Sequence, residues 1–79
     1  MENNEALIEY LVEKMDFAYS NELRHLRGDE KKRLVEVISG IAPEDFTLEQ
    51  WNRAVSYVIL EPPCASAAAA KSRIIGRLR

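Results

Sequence analysis

Four residues interrupt this 79-residue chain, and they limit its folding more than any other feature. Gly28, Gly40 and the pair Pro62-Pro63 divide it into four short segments. Glycine weakens a helix interior by about 1 kcal/mol, and the residue before a proline avoids helical angles. Each segment is therefore expected to form one element, and the spacing of its apolar residues predicts which kind.

The first segment, residues 4–26, has the apolar spacing of an amphipathic helix. At about 100° per residue, seven apolar side chains fall within one arc of roughly 140°. These are Leu7, Ile8, Leu11, Val12, Met15, Ala18 and Tyr19. Asn3 or Asn4 is placed to cap the start of this helix. We expect helix over the segment, with a potential break at Ser20-Asn21.

The second segment, residues 29–39, is also predicted to be helical. Asp29 follows a glycine and is expected to be the N-cap. Gly40 is expected to end the helix in a left-handed conformation, as the C′ residue of a Schellman motif. The side chains predicted to face inward are Leu34, Val35, Val37, Ile38 and Ile41.

The third segment, residues 47–61, has the clearest start signal. Thr47-Leu48-Glu49-Gln50 fits the capping box, and Phe46 and Trp51 supply a hydrophobic staple. The run Val55–Leu60 is rich in β-branched and aromatic residues, which also suits a strand. Its apolar residues do not alternate with polar ones, so helix is predicted.

The last segment, residues 65–78, favours helix through its alanines. The sequence thus predicts an all-α fold, a small bundle of three to four helices over about 4–26, 29–39, 47–61 and 65–78. Residues 1–79 are expected to form a single domain. Residues 62–79 form its basic C-terminal helix, for which loose docking is one option.

Charge is unevenly distributed along the chain. Residues 1–61 carry all 13 acids and seven of the 11 bases, a net −6, whereas residues 62–79 carry four bases and no acid. No apolar run approaches the ~18–20 residues of a membrane span. Cys64, the single cysteine, cannot form an intramolecular disulfide. We expect a cytoplasmic protein without a membrane span.

Catalytic and metal-binding motifs are absent from the sequence. His25 and Cys64 are the only residues of their kinds and stand 39 positions apart. No Gly-x-Ser-x-Gly elbow and no glycine-rich phosphate loop occurs. Glu22-x-x-His25 is one copy of an element that di-iron bundles need twice. We therefore expect no enzyme activity, no cofactor and no metal.

The leading functional hypothesis is a protein-binding module that acts as an adaptor, regulator or inhibitor. Tyr10 and Phe17 are seven residues apart, off the main apolar arc, and acids border them. The predicted partner-binding face consists of Glu9, Tyr10, Glu13, Asp16 and Phe17. Its partner is expected to be another protein with a basic surface. Alternatively, the last helix covers both aromatic rings.

Size and acidity of this kind are also found among phage- or mobile-element-encoded inhibitors, including anti-CRISPR proteins. Nothing else in the sequence singles out that class. The small core that 79 residues can form is also compatible with a homodimer.

The alternative function is binding of nucleic acid or of another anionic surface. Its candidate residues are Arg24, Arg27, Lys71, Arg73, Arg77 and Arg79. The first basic cluster consists of Arg24, Arg27, Lys31, Lys32 and Arg33. Two acids, Asp29 and Glu30, interrupt it, and the isoelectric point is near 5.4. Nucleic acid is therefore the less favoured partner. A competing explanation is that the basic tail docks on the acids of the first helix.

Overall fold

The computed structural model describes residues 6–79, which form four α-helices and no strand. The helices are α1 Ala6–Lys14, α2 Gly28–Ser39, α3 Leu48–Ala54 and α4 Ala67–Leu78. Two 3₁₀ turns span Ser20–Arg24 and Pro43–Asp45, and a π-helical turn, Val55–Ile59, continues α3. The predicted all-α bundle is confirmed. The predicted caps at residues 3 and 4 lie outside the described residues.

Helix α1 is shorter than the sequence predicts, because Asp16 ends it. Asp16 has a φ of 58°, in the left-handed region. The Phe17 amide donates to the Val12 carbonyl at 3.0 Å, and the Asp16 amide donates to the Glu13 carbonyl at 3.1 Å. These two bonds define a Schellman motif. The prediction of helix as far as residue 26 is therefore wrong.

The early end of α1 changes which of the following side chains are buried. Ala18 and Tyr19, predicted to face the core, are exposed, and Tyr19 is 72% exposed. Phe17 instead is half-buried and packs against the core. The helical arc predicted these residues wrongly because the chain leaves the helix before it reaches them.

Helix α2 begins one residue earlier than predicted. The Glu30 carboxylate accepts a hydrogen bond from the Arg27 amide at 2.9 Å, and Arg27 occupies the N-cap position. The prediction of Asp29 as the N-cap is therefore wrong. Asp29 lies inside the first turn of the helix. A carboxylate there still interacts favourably with the positive end of the helix dipole.

The end of α2 also differs from the prediction. Gly40 has φ −82° and ψ −4°, so the expected left-handed conformation is wrong. The Lys71 ammonium donates to the Ile41 carbonyl at 2.7 Å and to the Ser39 carbonyl at 3.4 Å. The Gly40 amide itself pairs with the Glu36 and Val37 carbonyls. Lys71 thus satisfies two later carbonyls that have no partner within the helix.

The start of α3 matches the prediction. The Gln50 amide donates to the Thr47 hydroxyl at 3.2 Å, and the Gln50 side chain accepts from the Thr47 amide at 2.9 Å. The rings of Phe46 and Trp51 meet edge to face at 6.4 Å. The capping box and the staple are both confirmed.

The predicted third helix ends in a wider turn than an α-helix has. Residues Val55–Ile59 form a π-helical turn, and Leu60 then adopts a left-handed conformation with φ 54° and is 76% exposed. Helix rather than strand is confirmed for this apolar run.

The hydrophobic core lies between the four helices. Trp51 is fully buried at its centre, and its indole N–H donates to the Pro43 carbonyl at 2.8 Å. Helix α4 lays Ala70, Ile74 and Leu78 against α2 and α3. The other buried residues are Leu7, Ile8, Leu11, Met15, Leu23, Leu34, Ile38, Ile41, Ala54 and Val55.

The connection to α4 is held by one side chain of α3. The Asn52 carboxamide accepts from the Cys64 amide at 2.7 Å and donates to the Cys64 carbonyl at 3.1 Å. The Ser66 hydroxyl then caps α4 by accepting from the Ala69 amide at 3.1 Å. The direction in which α4 leaves the prolines is thus fixed at two nearby points.

The left-handed backbone conformation of Asp16 leads to a prediction about stability. Asp16→Gly removes the Cβ that disfavours this conformation, and it removes a negative charge from the negative end of α1. We expect the free energy of unfolding to rise by about 0.5–1 kcal/mol. Urea unfolding followed by Trp51 fluorescence measures the change. Asp16→Ala, the control, removes the charge but keeps the Cβ, and an equal gain would contradict the conformational argument.

Candidate functional site

The fold brings two basic stretches of the sequence to one end of the molecule. Helices α2 and α4 pack in antiparallel directions, so the start of α2 lies beside the end of α4. Lys31 and Lys32 of α2 and Arg77 and Arg79 of α4 line one open groove together with Leu78. Residues far apart in sequence thereby share one surface.

A second groove continues from the first, because Lys31, Arg77 and Leu78 line both. It runs between the first 3₁₀ turn and the π-helical turn. Its further lining residues are Leu23, Arg24, His25, Leu26, Val58, Ile59 and Glu61. Five cations lie along the two grooves and together form the basic end of the molecule: Arg24, Lys31, Lys32, Arg77 and Arg79.

Side chains rather than helix dipoles give the basic end its charge. With His25 neutral, the two grooves are lined by five cations and one carboxylate, a net charge of +4. The dipoles of α2 and α4 offset each other, since one helix begins where the other ends. Among residues 6–79, Lys31, Lys32 and Arg79 are exposed and have no ion-pair partner.

The carboxylate of Glu61 lies between two arginines of α4. One oxygen is 3.2 Å from Nη1 of Arg73, and the other is 3.1 Å from Nη2 of Arg77. Both arginines are well exposed, and ion pairs of that kind contribute only about 0–1 kcal/mol. The main role of these ion pairs is to position side chains, because Glu61 restrains Arg77 beside the groove.

Three cations bind carbonyl groups at the ends of helices. Lys71 binds the end of α2, Nη2 of Arg33 donates to the Lys14 carbonyl of α1 at 3.5 Å, and Nε of Arg24 donates to the Tyr57 carbonyl at 3.2 Å. The last carbonyls of a helix lack partners within it, so a cation is favoured there. Lys71 thus lies at the end of α4 away from the basic end.

Arg27 lines a neighbouring pocket of mixed charge. The other residues of that pocket are Asn21, Glu22, His25 and Glu30. Its two carboxylates outnumber its one arginine, so this pocket does not share the positive charge of the basic end. Of the six cations in the predicted basic surface, the fold groups three at the basic end, Arg24, Arg77 and Arg79.

The predicted protein-binding face is arranged differently from the sequence expectation. Glu9, Glu13 and Asp16 are exposed. Tyr10 is half-buried, with its ring centre 5.7 Å from that of Phe46, and Phe17 packs against the core. Since α1 ends before Phe17, a spacing of seven residues does not place the two rings on one helical stripe.

Helix α4 does not cover that face. Within residues 6–79, α1 packs on α2, α3 and the first 3₁₀ turn but not on α4, and Phe46 contacts Tyr10 instead. The cations of α4 do not pair with the exposed acids of α1 either, since Arg73 and Arg77 pair with Glu61. Both alternatives considered from the sequence therefore fail for the described residues.

Lys31 and Lys32 belong to the first basic cluster of the sequence, but the predicted site residues do not include them. Lys31 continues the apolar stripe of Leu34 and Ile38 by one turn toward the start of α2. A cation in that position lies where the core meets solvent, because its aliphatic stem can cover apolar surface while its charge stays in water. This pattern is the signal that distinguishes Lys31 from the rest of its cluster, whereas only the packing of α2 on α4 places it beside Arg77 and Arg79.

Among residues 6–79, no group of three or more His, Cys, Asp or Glu side chains could hold a metal ion. None of the helices described in that range is both long and apolar enough to cross a membrane.

Comparison with models of protein families, with curated protein sequences and with solved structures finds no match for this chain.

The role of Lys71 gives a second stability prediction. Lys71→Met keeps a side chain of similar length but removes the ammonium that binds the end of α2. We expect the free energy of unfolding to fall by about 1 kcal/mol. Arg79→Met is the control and should change it by less than about 0.5 kcal/mol. Equal losses in urea unfolding would show that Lys71 has no special structural role.

Proposed function

We propose that this protein binds nucleic acid, with the basic end in contact with the phosphates. The observation that supports the proposal is the antiparallel packing of α2 and α4, which gathers Lys31, Lys32, Arg77 and Arg79 around one groove. Lys32 and Arg77 are 45 positions apart in sequence. Their proximity in the fold lets both act on one ligand.

The chemistry of the basic end suits phosphate groups. Ammonium and guanidinium groups form charge-assisted hydrogen bonds to phosphate oxygens. Each neutralised phosphate also releases counterions, so affinity depends strongly on salt. Because the whole chain has a net charge of −2, we expect weak binding at physiological salt, with a Kd of about 10⁻⁴–10⁻⁶ M.

The exposed corner after α1 supports a second candidate function, binding of another protein. Tyr19 is 72% exposed, and Glu13 and Asp16 are exposed a few residues before it. An exposed tyrosine beside acids can anchor and steer a partner that carries a basic surface. Glu13, Asp16 and Tyr19 together form the acidic corner of the molecule. An adaptor or inhibitor would engage its target through these residues.

Charge reversal tests the nucleic-acid proposal. Lys32→Glu with Arg79→Glu should weaken binding of a fluorescein-labelled DNA at least about tenfold, because two phosphate contacts are lost. The slope of log affinity against log salt should become shallower by about 2. Fluorescence anisotropy titrations at several salt concentrations measure both quantities.

A matched variant distinguishes the effect of the basic end on binding from the effect of the protein's net charge. Lys14→Glu with Arg53→Glu changes the net charge equally, but on α1 and α3. This variant should retain more affinity than the reversal at the basic end. Equal losses would assign binding to overall charge, and a wild-type protein that binds no DNA even at low salt would refute the proposal.

Affinity capture from an extract of the source organism tests the second candidate. Glu13→Lys, Asp16→Lys and Tyr19→Ala in one variant should abolish capture of a partner that the wild-type protein binds, since charge and anchor are both lost. Glu36→Lys with Glu49→Lys is the matched control, because both residues are exposed elsewhere. A partner captured equally by the corner variant and the wild type would exclude the acidic corner.

A further inference from the structure

We propose that the basic end binds single-stranded nucleic acid in preference to duplex, with one base stacked on the guanidinium of Arg24. This inference rests on the proposed function. It adds the strandedness of the ligand and the position of one base. The observation behind it is that Tyr57 holds the Arg24 side chain in place.

Arg24 is held at two points by one tyrosine. Its Cζ lies 4.1 Å from the centre of the Tyr57 ring, and its Nε donates to the Tyr57 carbonyl at 3.2 Å. The ring contact and the hydrogen bond together restrict how far the guanidinium can move. Arg24 is nevertheless exposed. The guanidinium face away from the ring is therefore open to a ligand.

A guanidinium plane is one of the surfaces on which proteins stack unpaired bases. Arg24 lines the same groove as Lys31 and Arg77, so a base on Arg24 would have cations beside it for the adjoining phosphates. Half-buried Val58 and Ile59 supply apolar surface between them. Apolar and planar surface next to a basic track is typical of single-strand binding sites.

A duplex can use the cations of the basic end but not the stacking surface. Its bases stay stacked on one another and present only their edges in the grooves. Major-groove readers insert a helix whose exposed side chains contact those edges. The first turn of α2 carries Asp29 and Glu30, which phosphates would repel. The basic end is built from helix termini around a groove, a shape that a flexible strand can follow.

Three DNA probes test the inference. They are a labelled oligothymidine of about 12 nucleotides, its duplex with oligoadenine, and an abasic strand of equal length. The wild-type protein should bind the oligothymidine about tenfold more tightly than either of the others, because only that probe offers unpaired bases. Anisotropy titrations at one low salt concentration give the three affinities.

Two conservative variants locate the base. Arg24→Lys keeps the charge but has no planar group, so it should weaken binding of oligothymidine about tenfold and leave binding of the abasic strand unchanged. Arg73→Lys is the matched control. It lies on α4 outside both grooves and should alter neither affinity.

The outcomes distinguish this inference from the proposed function. Equal affinity for oligothymidine and duplex, or an equal loss on both strands in Arg24→Lys, overturns the inference. If Lys32→Glu with Arg79→Glu still weakens binding at least about tenfold in that case, the proposed function stands. If the wild-type protein binds none of the three probes, both are overturned.

Discussion

Helix α4 closes the hydrophobic core, and the surface offered to a ligand depends on that contact. Ala70, Ile74 and Leu78 recur every four residues and are buried against α2 and α3. Burial of apolar surface contributes about 25 cal/mol per Å², and the core of the described residues contains no buried polar side chain. The antiparallel packing of α2 and α4 then joins two separate basic stretches into one end.

Much of the fold was predictable because its signals are local. The capping box at Thr47 and the staple of Phe46 on Trp51 involve partners no more than five residues apart. The ends of α1 and α2 were not predictable in this way. Asp16 adopts a conformation that usually belongs to glycine, whereas Gly40 stays right-handed and its amide pairs with the Glu36 and Val37 carbonyls.

The candidate site was only partly predictable, for a related reason. The sequence displays the charges, but tertiary packing decides which of them act together. The helical pattern places Lys71 and Arg79, eight residues apart, on the same side of the last segment. In the structure, Lys71 binds the end of α2, whereas Arg79 is exposed at the basic end. The expected exposure of Phe17 likewise depended on the length of α1, which a single aspartate determines.

The bonds between Asn52 and Cys64 fix more than the path of the connection. Pro62-Pro63 has no N–H to donate, so Cys64 is the first residue after the prolines whose backbone can both donate and accept. One residue separates Cys64 from Ser66, the cap of α4. An insertion there would lengthen the link between the bonds of Asn52 and the cap of α4. The short connection thus limits where α4 can begin, and with it the position of the residues that face the groove.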